Sequence, residues 1–396
     1  MKIRSHGLAV CSLLLAALVH AAAPLAPITT LRSRASAQVP NDLVVTGGLS
    51  WEDYSTRGNF SVVTVPTKDS TEHATAAVGE IGARARVSPL YQPDRQILEL
   101  TLDGGLRQFA AMGFHLRDYA PREWVTRVTG SYWRAFPEVG NLTVHASYRG
   151  RSVEDRPPMP LFLQPGYGSV GASGTFQFVP IQNVAFELQL DLERTNYSAP
   201  RLLPFLDLLD RKSQGFEVGA LTRGEGDWSV RFYSGFRSTH YEQQVSDPTP
   251  TFRRDRTVNV GALWNLSTLD ADAALRQASI GVEGTVNRSN SLRPQYDALS
   301  VTGDVYVELP WWSLSTGLTS LLTWKAYVHQ TQFARLVPGE EADNASVVHL
   351  DLIRPLASNL NGTLRFGWTR AETDIGNSYY NRVGTSLLFN FRPAGQ

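Results

Sequence analysis

From residue 42 onward, hydrophobic and polar residues alternate. In 184–197, Val184, Phe186, Leu188, Leu190 and Leu192 share one parity, and Glu187, Gln189, Asp191 and Glu193 the other. In 141–153, Leu142, Val144, Ala146 and Tyr148 oppose Thr143, His145, Ser147, Arg149 and Arg151. In 381–391, Val383, Thr385, Leu387, Phe389 and Phe391 oppose Arg382, Gly384, Ser386 and Asn390, with Leu388 the exception. A period of two sends successive side chains to opposite faces, the signature of a strand between two different environments. The pattern predicts about sixteen such strands. Their expected limits are 42–54, 73–87, 94–109, 123–136, 141–153, 167–179, 184–197, 214–223, 228–241, 257–267, 278–290, 298–309, 312–328, 346–354, 360–373 and 379–391.

The connections alternate short and long. Short ones, such as 137–140, 180–183, 224–227, the Pro310-Trp311 corner and 355–358, are built mostly on Pro, Gly, Asn and Asp, the residues of tight turns. Between them lie the longer segments 55–72, 110–122, 154–166, 198–213, 242–256 and 329–345. A soluble sandwich has no reason to alternate this way, whereas a transmembrane barrel carries short turns on one rim and long loops on the other. Leu and Val dominate mid-strand. Trp51, Trp124, Tyr132, Phe176, Phe178, Trp264, Trp311, Trp324 and Trp368 fall mostly towards strand ends, as interfacial girdles would. The expected fold is all-β. It is a single antiparallel transmembrane β-barrel of about sixteen strands, with short periplasmic turns, long extracellular loops and both termini periplasmic. Segment 268–277 is long for a periplasmic turn and is read as holding a helical turn.

Residues 1–37 read as a cleaved secretory signal peptide and 38–396 as the outer-membrane β-barrel. Lys2 and Arg4 form the basic start, and Leu8 to Val19 is an apolar run too short to span a bilayer as a helix. An earlier cleavage site near residues 21–23 is the alternative to one after Ala37. The one cysteine, Cys11, lies inside this leader, which leaves no thiolate metal site and no disulfide in the expected mature chain. No later stretch reaches about 18 consecutive apolar residues, so a helical membrane protein is excluded. Mean hydropathy is −0.20, which suits a barrel as well as a soluble protein, because alternation hides the apolar face in the average. Lys plus Arg (37) equals Asp plus Glu (37), so charge gives no reason to expect nucleic acid.

Arg382, Gly384, Leu387 and Phe389, followed by the aromatic Phe391, resemble the C-terminal assembly signal of bacterial outer-membrane β-barrels. The resemblance implies a Gram-negative outer-membrane, multi-pass, porin-like protein. Gly384, Leu387, Phe389 and Phe391 would then be its assembly signal, and the barrel-assembly machinery, outer-membrane lipid and lipopolysaccharide its partners. This sequence departs from the family pattern in continuing from Arg392 to Gln396. Ile353-Arg354-Pro355-Leu356 and Tyr379-Tyr380-Asn381-Arg382 are similar to the final hairpins of barrels encoded with exopolysaccharide export systems. That resemblance implies polysaccharide as a transported or assembled partner.

No catalytic motif is present: there is no G-x-S-x-G, no H-E-x-x-H and no phosphate-cradling glycine loop. No enzyme activity, cofactor or metal is expected. What carries information is the charged polar face. Arg84, Arg127, Arg149, Arg151, Arg365 and Arg382 come from early strands and the last two, which become neighbours when a barrel closes. Glu187, Asp191, Glu193, Glu283 and Asp304 come mainly from the opposite arc, and Arg231 breaks the segregation. These residues are expected to line the lumen. Either they set a transverse field across a water-filled pore, or they form a salt-bridge network that rigidifies the wall. The function expected is a pore for polar solutes or exported polysaccharide. The alternatives are a non-conducting surface or adhesion scaffold and a barrel-borne hydrolase. Two loops, 200–212 and 156–165, either pack on neighbouring extracellular loops, the favoured reading, or fold inward as a constriction.

Overall fold

A computed structural model describes residues 42–57, 61–62, 65–66, 72–111, 122–154, 166–181, 183–197, 208–224, 227–246, 250–268, 273–292, 294–309, 312–329, 346–372 and 379–393. The expected leader, loop 156–165 and most of loop 200–212 lie outside these residues.

The chain runs through β1 (Asp42–Arg57), β2 (Ser61–Val62), β3 (Val65–Pro66), β4 (Glu72–Gln92), β5 (Gln96–Ala111) and β6 (Arg122–Phe136). It continues through β7 (Gly140–Glu154), β8 (Tyr167–Ile181), β9 (Val184–Tyr197), β10 (Arg211–Arg223), β11 (Trp228–Val245) and β12 (Phe252–Ser267). The last third holds β13 (Leu275–Ser289), β14 (Tyr296–Leu309), β15 (Leu314–Tyr327), β16 (Ser346–Ala357), β17 (Leu360–Glu372) and β18 (Tyr379–Phe391). All but β2 and β3 form one closed barrel of sixteen antiparallel strands, each paired with its predecessor in the chain and β1 with β18. The short β2–β3 pair sits within the β1–β4 connection. Closure leaves no strand edge unpaired.

Alternate connections are short. The turn rim holds 93–95, 137–139, 182–183, 224–227, 268–274, 310–313 and 358–359, and both ends of the barrel sequence meet there. The loop rim holds 58–71, 112–121, 155–166, 198–210, 246–251, 290–295, 328–345 and 373–378. On the turn rim Glu138, Asn183 and Ser313 take φ of 66°, 67° and 47°, the left-handed conformation that tight turns require. Gly140 closes the 137–139 turn at φ 152°, where a Cβ would lie 2.0 Å from the Gln177 carbonyl oxygen.

Several strand limits differ from the sequence reading. β10 starts at Arg211 rather than 214, and β12 at Phe252 rather than 257. Apart from Phe252, the residues gained, among them Lys212, Arg253, Arg254, Asp255 and Arg256, are polar or charged on both faces, so hydrophobic alternation cannot reveal them. Strands also run on through prolines where turns were expected. Register breaks fall at Val87/Leu90, Phe178/Ile181 and Pro355/Ala357, around Pro89, Pro180 and Pro355. A proline cannot donate to the ladder, so a bulge near the turn rim absorbs each one. Of 268–277, where a helical turn is expected, 269–272 lie outside the described residues, and β13 takes up the stretch from Leu275.

The two faces are inverted relative to a soluble protein. Outside stand Leu49 (71% exposed), Leu192 (61%) and Val260 (60%), within a belt that includes Ile81, Leu102, Leu190, Phe232 and Ile280. Trp51, Trp124, Trp324 and Trp368 flank it towards the loop rim, and Phe176, Phe178, Phe186, Phe389 and Phe391 towards the turn rim. Inside, Glu52 and Glu123 are each only 6% exposed. Leu388, the apolar exception of the last strand, lies on the inner face and is buried against Gly48 of β1.

Candidate functional site: the charged inner wall

Alternation fixes which side chains point inward, and register fixes which of them meet. Where cross-strand neighbours carry opposite charge, they pair along the wall. Arg107 of β5 is the hub of the first cluster. It bonds Glu52 of β1, and its nitrogens lie 3.4 Å from Glu80 of β4 and 3.4 Å from Glu123 of β6. Arg151 of β7 extends it, with Nε 2.6 Å from Glu123. Ser50 donates to Glu80 and shares a hydroxyl–hydroxyl bond of 2.8 Å with Ser386 of β18, which links the cluster across the closing seam. Beyond the seam Arg365 holds Asp351 by two parallel bonds of 2.7 and 2.8 Å. Such forked pairs fix geometry as well as charge.

A second cluster spans β7 to β11. Arg149 lies 2.5 Å from Glu193, which also accepts from Ser169 at 2.6 Å. Arg231 joins Glu187 at 2.5 Å and Glu217 at 2.6 Å. Arg237 approaches Asp191 at 3.1 Å and Glu193 at 3.9 Å, and that Asp191 oxygen makes the ion pair without an aligned hydrogen bond. On β12, Arg253 and Asp255 form a buried pair at 2.6 Å, with the guanidinium over the Tyr241 ring.

The expected lumen residues thus fall into two groups. Arg149, Arg151, Glu187, Asp191, Glu193, Arg231 and Arg365 belong to lateral ion pairs, so their charges are matched along the wall rather than across the gap. Arg84 and Arg127 make no ion pair among the described residues. Both are exposed and flank Asp103 in register on the neighbouring strand β5. Among the described residues Arg382 hydrogen-bonds Thr369, at 3.4 Å. Glu283 accepts from Tyr233 (2.9 Å), Asn259 (3.1 Å) and Thr285 (3.1 Å), and Asp304 from Ser279 (3.4 Å); neither meets a cation among the described residues. The expected segregation therefore survives only in these residues, with cations on β4, β6 and β18 and carboxylates on β13 and β14.

Glu52, Glu123 and Glu217 were not singled out from the sequence. On its own strand face each has uncharged neighbours, Ser50 for Glu52, Val125 for Glu123 and Gly215 and Gly219 for Glu217, and only packing across strands brings it to an arginine. Gly384 lies on the inner face beside Glu52, while Leu387, Phe389 and Phe391 are exposed outside on the strand that closes the barrel.

The fold and wall define a closed sixteen-strand barrel with a charged interior. Among solved structures the chain is similar to a bacterial polysaccharide outer membrane secretin, with 12% identity over 87% of this chain and 98% of that one and a TM-score of 0.39. It is also similar to OmpF of Salmonella typhi in complex with daunomycin (11% identity, 88% and 97% covered, TM-score 0.39). A third is OccK7 (OpdD) of Pseudomonas aeruginosa (13% identity, 89% and 99% covered, TM-score 0.39). No family model matches the chain, and no curated protein matches it.

Proposed function

We propose that the chain is an integral outer-membrane barrel whose interior is a water-filled pore for polar solutes, exported polysaccharide among them. One observation carries the reading: the barrel is apolar outside and ionic inside. An exposed belt holding Leu49, Leu190, Leu192, Phe232 and Val260 is far beyond the apolar patch a soluble monomer tolerates. In hydrocarbon it is satisfied, and the closed backbone ladder meets the bilayer's demand that every peptide group be paired. Barrels of about sixteen strands leave an aqueous channel unless loops fill it. The inner carboxylates and guanidinia need water or each other, and the wall supplies both. On this reading the loop rim is extracellular, the turn rim periplasmic, and the outer face of β18 is what the assembly machinery grips through Leu387, Phe389 and Phe391.

Because most lumen charges pair laterally, the pore is only weakly ion-selective. The test is single-channel recording in planar bilayers on protein whose folding is verified by heat-modifiable gel migration. Stepwise conductance with a small reversal potential in a salt gradient is the expected result. Folded, inserted barrel with no conductance would leave the non-conducting scaffold as the better account.

A further inference from the structure

The outer wall is not uniform around the loop rim. On β9 to β13 the register aligns two rows of polar outer-face side chains directly above the apolar belt. The upper row reads Arg194, Lys212, His240 and Arg254, each paired with the next, and ends at Asn290, whose backbone N–H bonds the Arg254 carbonyl. The lower row reads Leu192, Gln214, Ser238, Arg256 and Arg288. The next row is Leu190, Phe216, Phe236, Val258 and Val286, with no charge at all. Five cations therefore stand at the edge of the belt. Two carboxylates accompany them: Glu242 is shared by Arg194 (3.0 Å) and Lys212, and Asp297 meets Arg288 at 2.8 Å. Arg254 and Arg256 are exposed and make no ion pair among the described residues. Elsewhere on this rim the described outer faces carry single cations, Arg122 and Arg370, with the exposed tryptophans Trp51, Trp124 and Trp324 and the half-buried Trp368.

We propose that this face, resting on the membrane reading above, is a docking surface for a phosphorylated lipid of the outer leaflet. Its acyl chains would lie on Leu190, Leu192, Phe216, Phe236 and Val258, and its headgroup phosphates on Arg254 and Arg256 with Arg288 and Lys212 beside them. Charge complementarity selects the headgroup: a net excess of cations at the water boundary, two of them unpaired, suits phosphate rather than a zwitterion. The sharp step from charged to apolar rows selects a lipid rather than a soluble anion. Guanidinia on an outer wall that serves only as lipid contact would cost stability there without return.

The probe is diphosphorylated lipid A added to the detergent-solubilised barrel, read by native mass spectrometry against phosphatidylcholine. The variant is Arg254→Gln with Arg256→Gln. The control, Arg134→Gln with Arg354→Gln, removes the same charge from the outer face near the turn rim. Lipid A binding should fall on the order of tenfold or more in the variant and stay near wild type in the control, since each basic side chain at a lipid surface contributes measurably. Equal loss in both, or no loss in either, would overturn the proposal, as would displacement of lipid A by inorganic phosphate. If the double variant does not fold, Arg256→Gln alone should show a severalfold loss in the same titration. Failure of the membrane reading looks different: wild-type barrel would not insert into phosphatidylcholine vesicles at all.

Discussion

Arg107 holds together carboxylates from three strands, two of them nearly buried. Removing it strands Glu52 and Glu123 with far less compensating charge, and an unpaired buried charge is costly even where the intact pair contributes little. We predict that Arg107→Ala lowers unfolding stability by about 3 kcal/mol, whereas Arg127→Ala, an exposed side chain without an ion pair among the described residues, changes it by no more than about 0.5 kcal/mol. Urea titrations of vesicle-inserted protein compare the two, and equal effects would contradict the hub. The faces make a second contrast. Leu190→Arg should cost roughly 2 to 4 kcal/mol if it sits near the bilayer midplane, and Gln189→Arg, one residue away and facing the lumen, should be tolerated. Equal loss of heat-modifiable migration in both would reject the assignment. The sequence made these faces legible, since parity alone assigns Leu190 outward and Gln189 inward. It did not make Arg107 legible as a hub, because parity gives a face, and only register gives a neighbour.

At the scale of elements, strand existence was readable wherever one face meets hydrocarbon and the other water. Where both faces are wet, as in Arg211–Ser213 and 253–256, the alternation disappears and the strands start earlier than the pattern shows. Prolines misled for a related reason: a turn signal and a bulge signal are the same residue, and only pairing with β5, β9 and β17 separates them. The β1–β18 contact hides another constraint. A Cβ on Gly48 would lie 2.2 Å from the Leu387 carbonyl oxygen and 2.8 Å from Leu388 Cδ2. Backbone cannot yield as a side-chain tip can, so Gly48→Ala should destabilise closure by about 1 to 3 kcal/mol. Gly79→Ala on the next strand, with nothing within 4 Å, should be neutral or slightly stabilising. Unfolding midpoints of the two variants, measured side by side, check the distinction.

For the whole molecule, the lateral pairing of Arg149 with Glu193, Arg231 with Glu187 and Arg365 with Asp351 leaves few charges to act on a permeating ion. Arg84→Ala with Arg127→Ala leaves Asp103 without its flanking cations. We predict a shift of the reversal potential towards cation preference with little change in conductance. An unchanged potential would mean that ions do not pass this part of the wall. The approximate strand number, the antiparallel order and the meeting of the two ends could be anticipated from the chain. The local cancellation of its charges could not, because that depends on height along the wall.

The seam between β1 and β18 has a consequence in time. Thr46 donates to Asn390 at 2.8 Å across 344 positions of sequence. The strand made first thus waits for the strand made last, and until it arrives two ladder edges stay open. Truncated chains therefore cannot be nearly right. A chain that lacks β18 is a sheet with sticky borders rather than a slightly smaller tube. Only a chain that holds both β1 and β18 can become edgeless.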